Sequence, residues 1–163
     1  MLCEQETLMI NFGLCCISLN LKEQGFGHQT MTYKRFNSLS REEALETLGD
    51  RIFNNLTTTN KTIQFCAEHN YTYRVSSDIF PLITYDEANV NLEDLPNYDL
   101  IQEEFDNIAQ TISSTNVRVS AHPSEFNSLS SLSEKSLTKQ SQNSTSTVVS
   151  LTELDFQQTV DHQ

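Results

Sequence analysis

The chain has 163 residues and a net charge of −12, from 10 Lys and Arg against 22 Asp and Glu. That is enough chain for one domain with a real core. The acid excess argues against tight non-specific binding to nucleic acid, which draws on a basic surface that releases counterions. Contact with DNA would have to come from a few converging basic residues or from metal ions.

Hydrophobic residues make up 37% of the chain, and the deficit lies in its last third. The cysteines are Cys3, Cys15, Cys16 and Cys66. They form no CxxC pair, so neither a zinc ribbon nor a thioredoxin-type motif is expected. A reduced, cytoplasmic compartment fits them. The first residues lack the basic start and apolar run of a signal peptide. No apolar run approaches the ~20 residues of a membrane span, so no membrane partner is expected.

Residues 1–8 are polar and read as a lead-in. Residues 9–17 (MINFGLCCI) are an apolar run with the pattern of a buried first strand. Gly13 within it suggests a close backbone approach. Cys15 and Cys16, adjacent on a strand, would point to opposite faces, one to the core and one as a strand-end thiol. Residues 18–38 read as a loop of about twenty residues, a length usually tied to function or mobility. Gly25, Gly27 and His28 stand at its centre, and Lys22, Tyr33, Lys34 and Arg35 decorate it, with Arg41 just beyond. The run 30–36 (TMTYKRF) suits phosphate and base-stacking contacts. It reads equally as a solvated loop with two core aromatics.

Ser40 and Glu43 make a capping box. Apolar residues then recur with helical spacing from Leu45 through Leu56, and one long helix is predicted to about Glu68. Thr57, Thr58 and Thr59 lower its propensity. His69 reads as a helix-ending residue rather than a ligand. A strand follows over 71–76. Arg74 inside it needs a partner if buried, either Asp78 or a phosphate. Pro81 stops regular structure. Residues 86–99 read as an acidic loop. Residues 100–112 form an amphipathic helix with Leu100, Ile101, Phe105, Ile108, Ala109 and Ile112 on one face. A turn over 113–116 and a third strand over 117–121 complete the pattern.

His122 ends that strand, where an imidazole is a plausible ligand for a divalent transition metal. Residues 127–152 are rich in Ser, Thr, Gln and Asn, a low-complexity composition that buries little. The fold class is therefore α/β: a partial TIM-type (β/α) barrel of about three βα units, with a low-complexity C-terminal tail. A closed barrel needs roughly 250 residues. The expected division is 1–8 lead-in, 9–132 partial barrel, and 133–163 Ser-rich tail.

Three stretches, NFGLCC (11–16), YRVSSDIFPL (73–82) and VSAHPSEF (119–126), occur in this order. Together they resemble the UV-damage endonuclease family. The resemblance implies the N-terminal part of a barrel that hydrolyses DNA 5′ to a UV lesion with a divalent metal, Mn or similar, whose site is incomplete in this chain. His122 would be a metal ligand. Glu125 and Phe126 stand where the family's Gln and aromatic wedge into the duplex, and Leu14 stands where some members carry Tyr. Lys34, Arg35 and Arg74 would contact DNA. Ser76, Ser77 and Tyr85 would line the site, Tyr85 standing where a family His is expected. The implied partners are double-stranded DNA with UV lesions and a complementary chain or homodimer that completes the barrel. Two alternatives stand beside this reading. One is a noncatalytic remnant or damaged-DNA-binding half of a split enzyme. The other is a fragment of a sugar-isomerase-like metal barrel.

Overall fold

Helix α3 (Arg41–His69) is the longest element and the one the others pack on. It starts at the capping box read from the sequence. The Glu43 backbone N–H donates to Ser40 Oγ at 3.3 Å, and the Ser40 backbone N–H donates to the Glu43 carboxylate at 3.2 Å. The Ser40 hydroxyl also donates to that carboxylate at 2.8 Å and, with the Ser40 backbone N–H, holds the Glu43 carboxyl below its ordinary pKa. The helix ends at Asn70, whose left-handed φ of 54° reverses the chain. His69 closes the last turn as expected, with Nδ1 at 2.8 Å from the Phe65 carbonyl and its ring stacked on Phe65 at 4.1 Å. The three threonines do not break the helix. Buried Thr59 and Thr62 donate to the carbonyls of Asn55 (2.9 Å) and Thr58 (2.7 Å), which satisfies their hydroxyls internally.

The computed structural model describes residues 12–16, 18–83 and 85–121. Both the predicted lead-in and the Ser-rich tail lie outside these residues. A three-stranded parallel sheet is ordered β1-β2-β3, from β1 (Gly13–Cys15), β2 (Thr72–Val75) and β3 (Val119–Ala121). Leu14 pairs with Tyr73, and Tyr73 with Val119. In parallel strands residues in register face the same way, so these side chains and Val75 share one face. That face is covered by α3 and α4 (Tyr98–Ser114). Leu48, Ile52, Leu56 and Ile63 of α3 meet Ile101, Ile108 and Ile112 of α4 in the same core. Phe80, just after β2, stacks on Phe105 at 5.8 Å. Parallel strands with helices on one face and an open face opposite are the make-up of a (β/α) barrel segment, as the sequence predicts.

Several boundaries differ from expectation. β1 is shorter than the predicted 9–17 run, and it is not a buried strand: Gly13 and Cys15 are exposed and only Leu14 is half-buried. The cause is its position at a sheet edge with one face covered. Gly13 is nonetheless needed, because a Cβ there would lie 2.6 Å from Thr72 Oγ1. The predicted loop 18–38 contains α1 (Leu19–Glu23) and α2 (Tyr33–Phe36). Each is started by a hydroxyl: Ser18 accepts from the Leu21 N–H and Thr32 from the Arg35 N–H, both at 3.3 Å. The acidic loop holds 3-10 turns at Asp86–Ala88 and Leu92–Asp94. Leu100 leaves the predicted apolar face and is 52% exposed. It sits one helical step, about 100°, away from fully buried Ile101.

One side chain ties the connections to the frame. Asn55, midway along α3, is 0% exposed. Its Oδ1 accepts from the Gln29 backbone N–H at 2.6 Å, and its Nδ2 donates to the carbonyls of Gln29 (2.9 Å) and Ile79 (3.1 Å). A longer contact of 3.4 Å reaches the Asp78 carbonyl. Arg51, one turn earlier, donates to the Thr30 carbonyl. His28 Nε2 lies 3.2 Å from Thr59 Oγ1, one turn later. The chain after β1 and the turn after β2 are thus both held by one stripe of α3.

Asn55→Ala should cost about 2–4 kcal/mol in urea unfolding, since it strands several buried backbone groups at about 1–3 kcal/mol each. Exposed Asn54→Ala, the neighbouring control, should stay within about 0.5 kcal/mol.

Candidate nucleic-acid interface

The uncovered face of the sheet carries the other half of each strand. Cys15 pairs with Arg74 and Arg74 with Ser120, so a row of polar side chains crosses the sheet in register. All three are exposed. Arg74 makes no ion pair among the described residues, and the Asp78 partnership considered from the sequence does not form. Its guanidinium is open to an anion.

The carboxyl ends of β1 and β2 meet a second group of polar residues. Ser76 is buried, and its Oγ accepts from the Asp78 N–H at 3.2 Å. It caps the 3-10 turn Ser77–Ile79, in which Ser77 is half-buried and Asp78 exposed. Ser76 therefore shapes the turn. The Asp78 carboxylate acts on both His28 and Cys16. Burial lowers the His28 pKa below its ordinary 6.5, with Asp78 pulling the other way. His28 was legible only as the centre of a glycine-containing loop. Nothing in its sequence context pointed to Thr59, more than eight helical turns of sequence away in effect but adjacent in space.

A further ledge lies on α2. Lys34 and Arg35 are exposed there. Tyr33, which precedes them in α2, meets Tyr85, ring centroids 5.1 Å apart and tilted by 56°. The Tyr33 hydroxyl donates to the Glu87 carbonyl at 3.0 Å. Tyr85, 41% exposed, thus offers an aromatic surface next to the helix that carries the basic pair. Arg41, grouped with these cations in the sequence, is structural. It donates to the carbonyls of Ala88 (3.0 Å) and Asn89 (2.7 Å) and lies over the Phe36 ring.

Leu14 lies on the other face of the sheet from Arg74. It is half-buried and packs on the helix-covered core. The reason is strand parity: Leu14 is in register with Tyr73, the most buried aromatic of the sheet. His122, Glu125 and Phe126 lie outside the described residues. Among the described residues no group of three or more His, Cys, Asp or Glu side chains could hold a metal ion. No helix among them is long and apolar enough to cross a membrane.

Comparison with known proteins gives one consistent result. The family model described as UV-endonuclease UvdE matches residues 10–161. A UV DNA damage endonuclease of Bacillus pumilus (strain SAFR-032) is 33% identical over 102 residues, covering 60% of this chain and 29% of that protein. A UV DNA damage endonuclease of Nostoc sp. (strain PCC 7120) is 29% identical over 123 residues, covering 73% and 35%. The crystal structure of SacUVDE superposes with a TM-score of 0.69 at 19% identity, covering 90% of this chain and 46% of that one. The chain thus spans about a third of the length of these curated relatives.

The buried, depressed His28 gives a pH dependence of stability. Its unfolded state takes up a proton near pH 6.5 while the folded state resists it, so stability is full above 6.5 and falls as the pH drops toward the lower folded value. Unfolding midpoints measured from pH 7.5 to 5 should decline less steeply in His28→Gln than in the parent chain.

Proposed function

Because the chain belongs to the UV-endonuclease UvdE family, we propose that it forms the N-terminal part of a DNA repair endonuclease acting on duplex DNA with UV lesions. The observation that carries this reading is the family match over residues 10–161. The reaction proposed is metal-dependent phosphodiester hydrolysis 5′ to the lesion, in the cytoplasm with access to DNA.

The geometry supports a DNA-facing role for particular side chains. Arg74 offers an exposed guanidinium on the open face, suited to a phosphate. Lys34 and Arg35 beside the Tyr33–Tyr85 pair combine cations with aromatic surface, the mix that holds a backbone and a displaced base. The net charge of −12 makes these few cations matter more. Glu125 and Phe126 are proposed at the lesion, where Phe126 stacks and Glu125 adds a charge that weakens phosphate contact. His122 is proposed as a ligand of a divalent ion such as Mn. The support for it is the resemblance of the HPSEF run, residues 122–126, to the family's motif. Such an ion would supply a polarised water near neutral pH.

The described residues alone do not furnish a metal centre. The remaining ligands would come from a complementary chain or from a second copy. Both β1 and β3 have one unpaired edge among the described residues, and such edges invite pairing. The same observation favours a second reading, a noncatalytic half that binds damaged DNA.

The deciding experiment uses UV-irradiated supercoiled plasmid with Mn²⁺, the chain alone, and the chain mixed with a segment supplying the rest of a relative's barrel. Nicking by the mixture that is lost in His122→Ala supports the enzyme. Preference for irradiated DNA without nicking in any mixture supports the binding half. No preference for irradiated DNA in either sample would overturn both. In the binding assay, Arg74→Ala should lower affinity and reduce the salt slope by about 1.

A further inference from the structure

We propose that Cys15 and Cys16 form a two-thiol site for a soft, thiophilic centre such as trivalent arsenic. On a regular strand adjacent side chains point to opposite faces, and the sequence suggests that arrangement here. The structure departs from it. β1 ends at Cys15, and Cys16 adopts a left-handed φ of 60°. The turn brings the two sulfurs together at 3.6 Å. Non-glycine residues rarely hold this conformation without support from their surroundings. Here the support is explicit. The Cys16 N–H donates to the Arg74 carbonyl at 2.8 Å, and its own carbonyl accepts from the Tyr73 hydroxyl at 3.4 Å.

The spacing separates two kinds of dithiol chemistry. Bonds of about 2.3 Å from sulfur to a pyramidal trivalent centre, at an angle of about 100°, set its two sulfurs about 3.5 Å apart. The observed 3.6 Å is close to that bite, so one centre can bridge the thiols with the backbone where it stands. A disulfide would instead require sulfurs about 2.05 Å apart and Cα atoms at least about 4.4 Å apart. Neighbouring residues have Cα atoms only about 3.8 Å apart. Chelation therefore fits the site and cross-linking strains it.

Access and charge agree. Cys15 is exposed on the open face, in register with Arg74, whose positive charge repels a hard cation. Burial, with the Cys15 thiol beside it, pushes Cys16 up to about 11, so at neutral pH it is a protonated thiol and a slow target for simple alkylation. An arsenoxide reacts with protonated dithiols. Two As–S bonds form, the oxygen of the arsenoxide leaves as water carrying both thiol protons, and arsenic remains trivalent. The buried Cys66 thiol is inaccessible to such a reagent in the folded chain.

Titration of the full chain with phenylarsine oxide, followed by intact mass and calorimetry, tests the assignment. A one-to-one adduct with loss of water is expected. Cys15→Ala and Cys16→Ala should each weaken binding by about 100-fold or more, because removing one sulfur abolishes the intramolecular second bond. Cys3→Ala and Cys66→Ala should leave affinity unchanged. Cys15 is exposed, so its replacement leaves the core intact and that variant alone is decisive. Wild-type affinity in Cys15→Ala, or no one-to-one adduct in the parent chain, would overturn the proposal. Neither result depends on DNA nicking or DNA binding.

Discussion

The amide of Asn55 is the constraint on which the working end of this fold depends. A buried side chain that satisfies backbone groups from two separate connections does what a sheet ladder does for strands. The chain after β1 would otherwise have to hide its polar groups with little apolar surface of its own. Asn55 does this from a rigid helix, so the positions of Gln29 and Ile79 are set relative to α3 and not to one another. His28 and Asp78 inherit their places from that anchorage. An unpaired amide in the same position would be costly in a core of Leu, Ile and Val. The site's geometry and the core's stability therefore rest on the same few bonds.

The sheet divides its labour by parity. Leu14, Tyr73, Val75 and Val119 are consumed by packing against α3 and α4. Cys15, Arg74 and Ser120 are left on the open face. A shift of one residue in any strand would exchange the two sets. Tyr73 locks the register from the buried side. Its burial raises the phenol pKa, and its hydroxyl still reaches the Cys16 carbonyl at the strand end. Gly13 locks it from the other side, where a side chain would meet Thr72. Register, and with it the placement of Arg74, is thus specified twice.

Much of this was readable in the residues. The capping box at Ser40 and Glu43, the span of α3 and the three-strand pattern follow from local signals that tertiary packing has no reason to override. What was not readable depends on long-range pairing. Asn55 looks like a surface residue in the sequence, because only its distant partners make its burial possible. The short helices α1 and α2 are started by single hydroxyls, a signal too common to stand out in a glycine-containing stretch. Strand periodicity misassigned Cys16 because the strand had already ended one residue earlier. The motif around residues 119–126 was one of three that carried the family resemblance, yet most of it lies beyond the described residues, so the site residues it suggested gained no geometry. Leu100 erred for a simpler reason: adjacent apolar residues on a helix do not share a face.

The polar row on the open face has a consequence for how a longer barrel would be made on the ribosome. Synthesis is vectorial, and the first units wait for the later ones while they are still being translated. In most sheets, the waiting face would be apolar and adhesive. Here one side already has a helical coat, and the other shows Cys15, Arg74 and Ser120 to water. A nascent chain of this kind would wait with a polar face turned to water. The edge of β3 would then serve as the template for the next strand to emerge, and the short length of that edge would limit what else could dock on it in the meantime.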